Sequence, residues 1–210
     1  MSRLDPAQLR TALGDCIIGR EIVILEETTS TNDSILQMTT PATPEGLVVF
    51  AEHQTAGRGQ RGNRWESAPQ KGLWFSILLR PKIDIDKSAR LTTWAAETVA
   101  RTIHEQFSLS PTVKSPNDVQ IDGRKVAGVL VEMRAQKNAP HIAIAGIGIN
   151  VNHVAEDFPE ELRAHATSLA IALDRSAKGR MRCGEQIDRA AFATTLLRKL
   201  DQTYQASFGR

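Results

Sequence analysis

The sequence predicts an α+β domain in which a mixed, largely antiparallel sheet is covered by helices. Three observations carry that prediction. Apolar runs of strand length recur at residues 46–51, 72–79, 119–121, 125–133 and 141–149. The pair Asp122-Gly123 between two of these runs is a hairpin signal. Residues 87–107 and 187–204 carry apolar side chains at helical spacing. Hairpins outnumber strand–helix–strand units, which favours α+β over a doubly wound fold.

In chain order, residues 5–13 read as a short helix with Asp5 as N-cap, Pro6 at the first helical position and Gly14 as its stop. That opening leaves no room for a helix-turn-helix. Residues 21–26 alternate around Ile22 and Ile24 as a strand, after which 28–31 offer hydroxyl caps to a helix beginning near Asn32. A strand at 46–51 precedes a loop over 54–71 rich in Gly and Arg, and loops of that length are functional or disordered. After the 72–79 strand, a helix over 87–107 presents Leu91, Trp94, Ala95, Val99 and Ile103 to the sheet. Strands at 119–121, 125–133 and 141–149 follow, with a polar loop at 135–139. Ala191, Leu196, Leu197 and Leu200 line the last helix, 187–204. No internal repeat and no low-complexity segment interrupts the pattern.

A chain of 210 residues with 41% hydrophobic and 24% charged residues fits one globular domain. Its net charge of +2 supplies no global field for nucleic acid, so DNA is not an expected partner. Neither an apolar signal segment nor a membrane-length run is present, and Cys16 and Cys183 lack metal-ligand spacing, which points to the cytoplasm and away from a membrane. His53, His104, His141, His153 and His165 show no HExxH or His-x-His pattern, so no protein-built metal site is expected. The P-loop lysine motif is absent as well, so a nucleotide here would bind by other means.

Chemistry concentrates in three places. The segment Gln54-Thr-Ala-Gly57-Arg58-Gly59-Gln60-Arg61-Gly62-Asn63-Arg64-Trp65 combines glycines, which let backbone approach a phosphate, with guanidiniums that match its oxygens. Its G-x-G-x-x-G spacing is not a dinucleotide fingerprint, because 63–72 cannot continue as a helix and no acidic residue follows at the ribose-binding position. A solvated basic loop without ligand is the alternative. Lys114-Ser-Pro-Asn117-Asp118 and Arg124-Lys125-Val-Ala-Gly128 flank the hairpin turn, where Lys125 is either a counter-charge for a phosphoryl group or a solubilising cation. Thr28-Thr-Ser30-Thr31-Asn32-Asp33 is either a helix cap or a set of hydrogen-bonding groups for a small polar ligand.

Taken in order, these segments resemble the biotin protein ligase family over residues 20–150. Ser30-Thr31-Asn32 is similar to its STN segment, 54–65 to its GRGRRGRxW loop, 114–118 to KWPND and 124–128 to RK-x-AG. Gly146-Ile-Gly148-Ile-Asn150-Val-Asn152 resembles its G-x-GIN-x-N strand. The resemblance implies the α+β catalytic-domain fold shared with lipoate-protein ligases. It implies ATP-dependent activation of biotin to biotinyl-5′-AMP, with Mg²⁺, and transfer to a lysine of a biotin carboxyl carrier protein.

Site roles follow by position. Ser30, Thr31, Asn32 and Gln54 would hold the biotin ureido ring. Gly57, Arg58, Gly59 and Gln60 would wrap the carboxylate and adenylate, and Gly128 would lend backbone. Arg61, Arg64, Trp65, Lys114, Asn117 and Asn150 would serve the nucleotide. Lys125 and Arg58 would be catalytic, Lys125 touching both the biotin carboxyl group and the α-phosphate.

The sequence departs from the family pattern at Gln60, where many members carry arginine, and at Ser115, which replaces the tryptophan of KWPND. The expected organisation is one catalytic domain over 1–210, with core motifs in 20–152 and a C-terminal helix at 185–206. No N-terminal DNA-binding domain and no C-terminal β-barrel are expected, and a homodimer is compatible with that. Two alternatives stand beside this reading: a lipoate ligase or octanoyltransferase, and a non-catalytic biotin or nucleotide sensor.

Overall fold

The structure is a computed structural model that describes residues 3–136, 141–176 and 186–209. The expectations for Cys183, for most of the 135–139 loop and for a helix start at 185 fall wholly or partly outside these residues.

The described residues form a seven-stranded sheet in the order β1-β2-β3-β7-β6-β5-β4. Its strands are β1 (Glu21–Thr28), β2 (Leu47–Gln54), β3 (Gly72–Leu79), β4 (Thr112–Lys114), β5 (Asp118–Ile121), β6 (Arg124–Arg134) and β7 (Ile142–Asn150). β1 and β2 run parallel, and every other neighbouring pair is antiparallel. The helices are α1 (Pro6–Leu13), α2 (Thr31–Met38), α3 (Ala89–Phe107), α4 (Leu169–Arg175) and α5 (Arg189–Phe208). The mixed, largely antiparallel α+β architecture is the one the sequence predicts.

Strand alternation divides the chain between two faces. Val48, Phe50, Leu73, Phe75, Ile77, Ala127, Val129, Ala145 and Ile147 join the main core with side chains of α1, α3 and α5. Full burial of each large apolar group contributes roughly 1.5–3 kcal/mol. Leu47, Val49, Leu78, Ile142 and Ile144 point the other way and form a smaller cluster with Ile35 of α2. This second face carries the site.

Local chemistry sets several boundaries. Asp5 Oδ1 accepts from the Gln8 amide at 2.8 Å and Gly14 ends α1 with φ +63°. Asp122 and Gly123 have φ of +50° and +73°, the left-handed pair that a tight hairpin turn requires. α5 begins at Arg189, two residues after the expected Ile187, because Asp188 Oδ1 accepts from the amides of Ala190 and Ala191. The hydroxyl-cap expectation for α2 is corrected: the Ser30 side chain makes no capping bond. The Thr31 amide donates instead to Gln54 Oε1 at 2.8 Å, so the helix start is tied to a strand. The sequence reading also passed over 155–175, which form two single 3₁₀ turns and α4.

Candidate active site

Glycines on two adjacent strands make room for the site. Gly148 of β7 stands opposite Trp74 of β3 on one side and Gly128 of β6 on the other. A β-carbon at Gly128 or Gly148 would lie 2.8 or 2.6 Å from the Trp65 indole, so both positions must be bare for that ring to lie against the sheet. One row along, Gly146 stands opposite Ser76 and Leu130, and a β-carbon there would lie 2.3 Å from Asn32 Oδ1. The G-x-G of β7 thus clears one place for an indole and one for an amide.

The resulting cavity is lined among others by Ser30, Thr31, Asn32, Gln54, Arg58 and Lys125. Gly59, Gln60, Asn117 and Gly128 also face it. Its floor is a closed hydrogen-bond network. Gln54 Oε1 accepts from the Thr31 amide at 2.8 Å and from the Thr31 hydroxyl at 3.2 Å, while Gln54 Nε2 donates to Ser67 Oγ at 3.1 Å. Ser76 Oγ lies 2.6 Å from Asn32 Oδ1 and 2.8 Å from Thr31 Oγ1, and Asn32 Nδ2 donates to Glu132 Oε2 at 2.7 Å. Ser30, Thr31, Asn32, Gln54, Ser67 and Ser76 are all buried.

Charge lies at the rim. Arg58 Nη2 reaches Asp33 Oδ1 at 2.8 Å and Glu132 Oε2 at 2.9 Å, with all three side chains partly solvated. Lys125 Nζ pairs with Asp118 Oδ1 at 2.7 Å and stands 5.2 Å from the centroid of the Trp65 ring. A backbone strap holds the lysine from behind: its amide donates to the His165 carbonyl at 2.8 Å, and its carbonyl accepts from the Thr167 amide at 2.9 Å.

A second, more open cavity of about 300 Å³ adjoins the first. Arg64, Glu66, Asn150, Phe158, Leu162 and His165 are among its walls, and it shares Trp65 and Lys125 with the first cavity. The Trp65 Nε1 is buried without a hydrogen-bond partner. Behind it, Trp74 meets Trp65 edge-on at 6.0 Å, and His153 touches Trp74 and stacks on Phe158. Burial pushes the His153 imidazole down to about 4, with Asp157 opposing and Lys71 reinforcing the fall.

Most of the site residues expected from sequence therefore meet around these cavities. Gly57 sits behind them at the loop base, accepting from the Trp65 amide at 2.8 Å. Arg61 is an exposed turn residue with φ +59° and Lys114 an exposed residue of the edge strand β4, and neither lines a cavity. Asn117, expected beside the nucleotide, faces the first cavity. Asn150 lines the second cavity, where its Nδ2 donates to the Thr167 carbonyl at 3.0 Å. Sequence reasoning missed Ser76 and Glu132 entirely and assigned no role to Asp33 or Asp118. The available signal was polarity out of place: a serine within Leu-Trp-Phe-Ser-Ile-Leu-Leu and a glutamate within Val-Leu-Val-Glu-Met.

The model of the biotin/lipoate A/B protein ligase family matches residues 24–150. The bifunctional ligase/repressor BirA of Bacillus subtilis is 36% identical over 203 residues, which are 97% of this chain and 59% of that protein. The biotin--[acetyl-CoA-carboxylase] ligase of Mycobacterium tuberculosis is 31% identical over 214 residues, 95% of this chain and 71% of its own. Among solved structures, the biotin protein ligase from Aquifex aeolicus in complex with biotin and ATP superposes with a TM-score of 0.71 at 29% identity, covering 90% of this chain and 74% of that one.

Proposed function

The chain belongs to the biotin/lipoate A/B protein ligase family, and from that premise we propose that it activates biotin with ATP and transfers it to a lysine of a biotin carboxyl carrier protein. The observation that carries the proposal is the pair of adjoining cavities with Lys125 and Trp65 in the wall of both. A reaction between a carboxylate and an α-phosphate needs two ligand sites that meet at a cation.

The first cavity takes the biotin head. Its floor offers both acceptors and donors from Thr31, Asn32 and Gln54, which suits a cyclic urea with two N–H groups and a carbonyl. A dithiolane ring has no N–H or carbonyl to use the hydrogen-bonding capacity that remains at the floor, so lipoate is disfavoured. The second cavity takes the nucleotide, with Arg64 and Asn150 in its wall and Trp65 and Phe158 as apolar surface for a base.

In the first step a carboxylate oxygen of biotin attacks the α-phosphorus; a P–O bond forms and the bond to pyrophosphate breaks. Lys125 and Arg58 offset the repulsion between the two anions and stabilise the charge that develops on the phosphoryl oxygens. Both cations are held by protein carboxylates, Asp118 for Lys125 and Asp33 with Glu132 for Arg58, so substrate oxygens take over partners already positioned. In the second step the acceptor amine attacks the acyl carbon, AMP leaves, and the amine gives up a proton to yield the amide. Among the described residues no group of three or more His, Cys, Asp or Glu is placed to hold a metal ion, so Mg²⁺ would ride on the phosphate oxygens. Cytoplasmic residence belongs to the same reading, as does the acceptor protein. No described helix is long and apolar enough to cross a membrane.

The B. subtilis relative extends well beyond the matched region, since this chain spans about three fifths of its length. The deciding experiment is ATP-dependent transfer of biotin to a purified carrier domain by wild type and Lys125→Ala. Transfer should fall at least ~10²–10³-fold in the variant. A folded wild type that transfers nothing with Mg²⁺ present, or that transfers lipoate in preference, overturns the proposal.

A further inference from the structure

Ser76 is a fully buried hydroxyl in a strand that is otherwise apolar between Leu73 and Leu79. Its surroundings fix where its proton goes. Asn32 turns its Nδ2 to the carboxylate of Glu132 at 2.7 Å, which leaves Asn32 Oδ1, an acceptor only, facing Ser76 Oγ at 2.6 Å. Ser76 Oγ is therefore the donor on this side, sharing its proton between Asn32 Oδ1 and Thr31 Oγ1, the latter at 2.8 Å. The other neighbour of Thr31 Oγ1 is Gln54 Oε1 at 3.2 Å. That oxygen is also an acceptor, because the Thr31 amide donates to it while Gln54 Nε2 donates to Ser67.

The Thr31 hydroxyl thus accepts from Ser76 and gives its own proton to Gln54 Oε1. Its proton points into the protein, and the one lone pair that remains is turned to the cavity. We propose that Ser76 is a positioning residue that sets the hydrogen-bond polarity of the cavity floor, so that Thr31 accepts from a ring N–H of the ligand. The inference rests on the biotin reading above, and it names the source of selectivity for a cyclic urea. The same relay aligns the Asn32 amide, for which Gly146 leaves the space.

The test separates the hydroxyl from its volume. S76A should raise the KM for biotin about tenfold, the size of one net hydrogen bond, with kcat and the KM for ATP within about twofold. S76C keeps the volume but is a weak donor, and it should resemble S76A. S76T keeps the hydroxyl and should recover most of the biotin affinity. Calorimetric binding of two biotin analogues, each with one ring N–H replaced by oxygen, supplies the partner side: wild type should lose about tenfold on one of them, and S76A little or nothing on that one.

An S76C that matches wild type shows a packing role and overturns the inference. So does an S76A with unchanged KM for biotin, or one in which kcat and both KM values worsen together. If S76A does not fold, S76C decides alone. A folded wild type that binds no biotin calorimetrically overturns the biotin reading and this inference with it, whereas biotin binding that is equal in wild type and S76C overturns the inference only.

Discussion

The floor of the first cavity and the arginine-rich loop at its rim are built on opposite terms. The floor is buried, and its hydroxyls and amides have partners within the protein at 2.6–3.2 Å. The loop from Arg58 to Arg64 is largely exposed, closed by a single bridge between those two residues, and Arg58 and Arg64 meet carboxylates in partly solvated pairs. Buried networks are costly to break, whereas exposed ion pairs contribute ~0–1 kcal/mol each. One region is set before the ligand arrives, and the other exchanges partners when it does.

Paired substitutions can break this contrast. Arg58→Ala should slow adenylate formation ~10²–10³-fold in single-turnover assays and leave unfolding free energy within about 0.5 kcal/mol of wild type. Gln54→Ala should raise the KM for biotin some 10–100-fold and also destabilise the chain by roughly 1–3 kcal/mol, because it orphans the Thr31 amide. If urea titration finds the loop variant destabilised and the floor variant not, the assignment of rigid and exchangeable parts is reversed.

Acidification extends the test to the aromatic wall behind Trp65. His153 is neutral in the fold, with its imidazole brought down to about 4 from 6.5. The unfolded chain therefore binds the extra proton between those values. The stability this group contributes is fully present above pH 6.5 and is lost as pH falls toward about 4, by about 3 kcal/mol over the window. Chemical denaturation should show that slope in wild type and a flatter one in His153→Phe. Equal slopes would mean that Asp157, the carboxylate facing the ring, already offsets its burial and the opposing charge of Lys71.

The smallest effect is expected at Gln60, an uncharged residue in the wall of the first cavity. Gln60→Arg adds a cation to the loop, and adenylate release, followed by trapping with free amine, should slow several-fold, the scale of one partly solvated charge contact. Equal release rates in the two proteins would show that the loop's retained arginines suffice.

Legibility in the sequence divides along the same line as the structure. The loop announced itself, because glycine and arginine in alternation have few purposes, and every strand of the 119–149 meander follows from apolar runs and one Asp-Gly turn. The floor was half visible. Ser30, Thr31, Asn32 and Gln54 were found by motif, but their cross-strand partners Ser76 and Glu132 are isolated polar residues in apolar strands, and only the register of β3, β7 and β6 brings them beneath α2. The strap from His165 to Thr167 was missed for a different reason. It meets β6 through two backbone bonds flanking Lys125, and backbone bonds leave no mark on side-chain pattern. Arg61 and Lys114 were placed at the site by motif although their side chains point into solvent, since sequence proximity to a cavity does not fix direction.

The ion pair between Glu52 and Arg189 bears on how little of this chain could stand alone. Arg189 Nη1 meets Glu52 Oε2 at 2.6 Å and the Gly72 carbonyl at 3.1 Å, Nη2 meets Glu52 Oε1 at 3.1 Å, and the Leu4 amide reaches the same carboxylate. A fragment ending after the last recognisable motif, near residue 150, would keep every side chain of the first cavity and lose Phe158, Leu162 and His165 from the second. It would also strand a carboxylate inside β2 two residues before Gln54, a deficit of several kcal/mol when a buried pair loses one member. An autonomous unit must therefore reach the first residue of α5, past every residue that lines the two cavities.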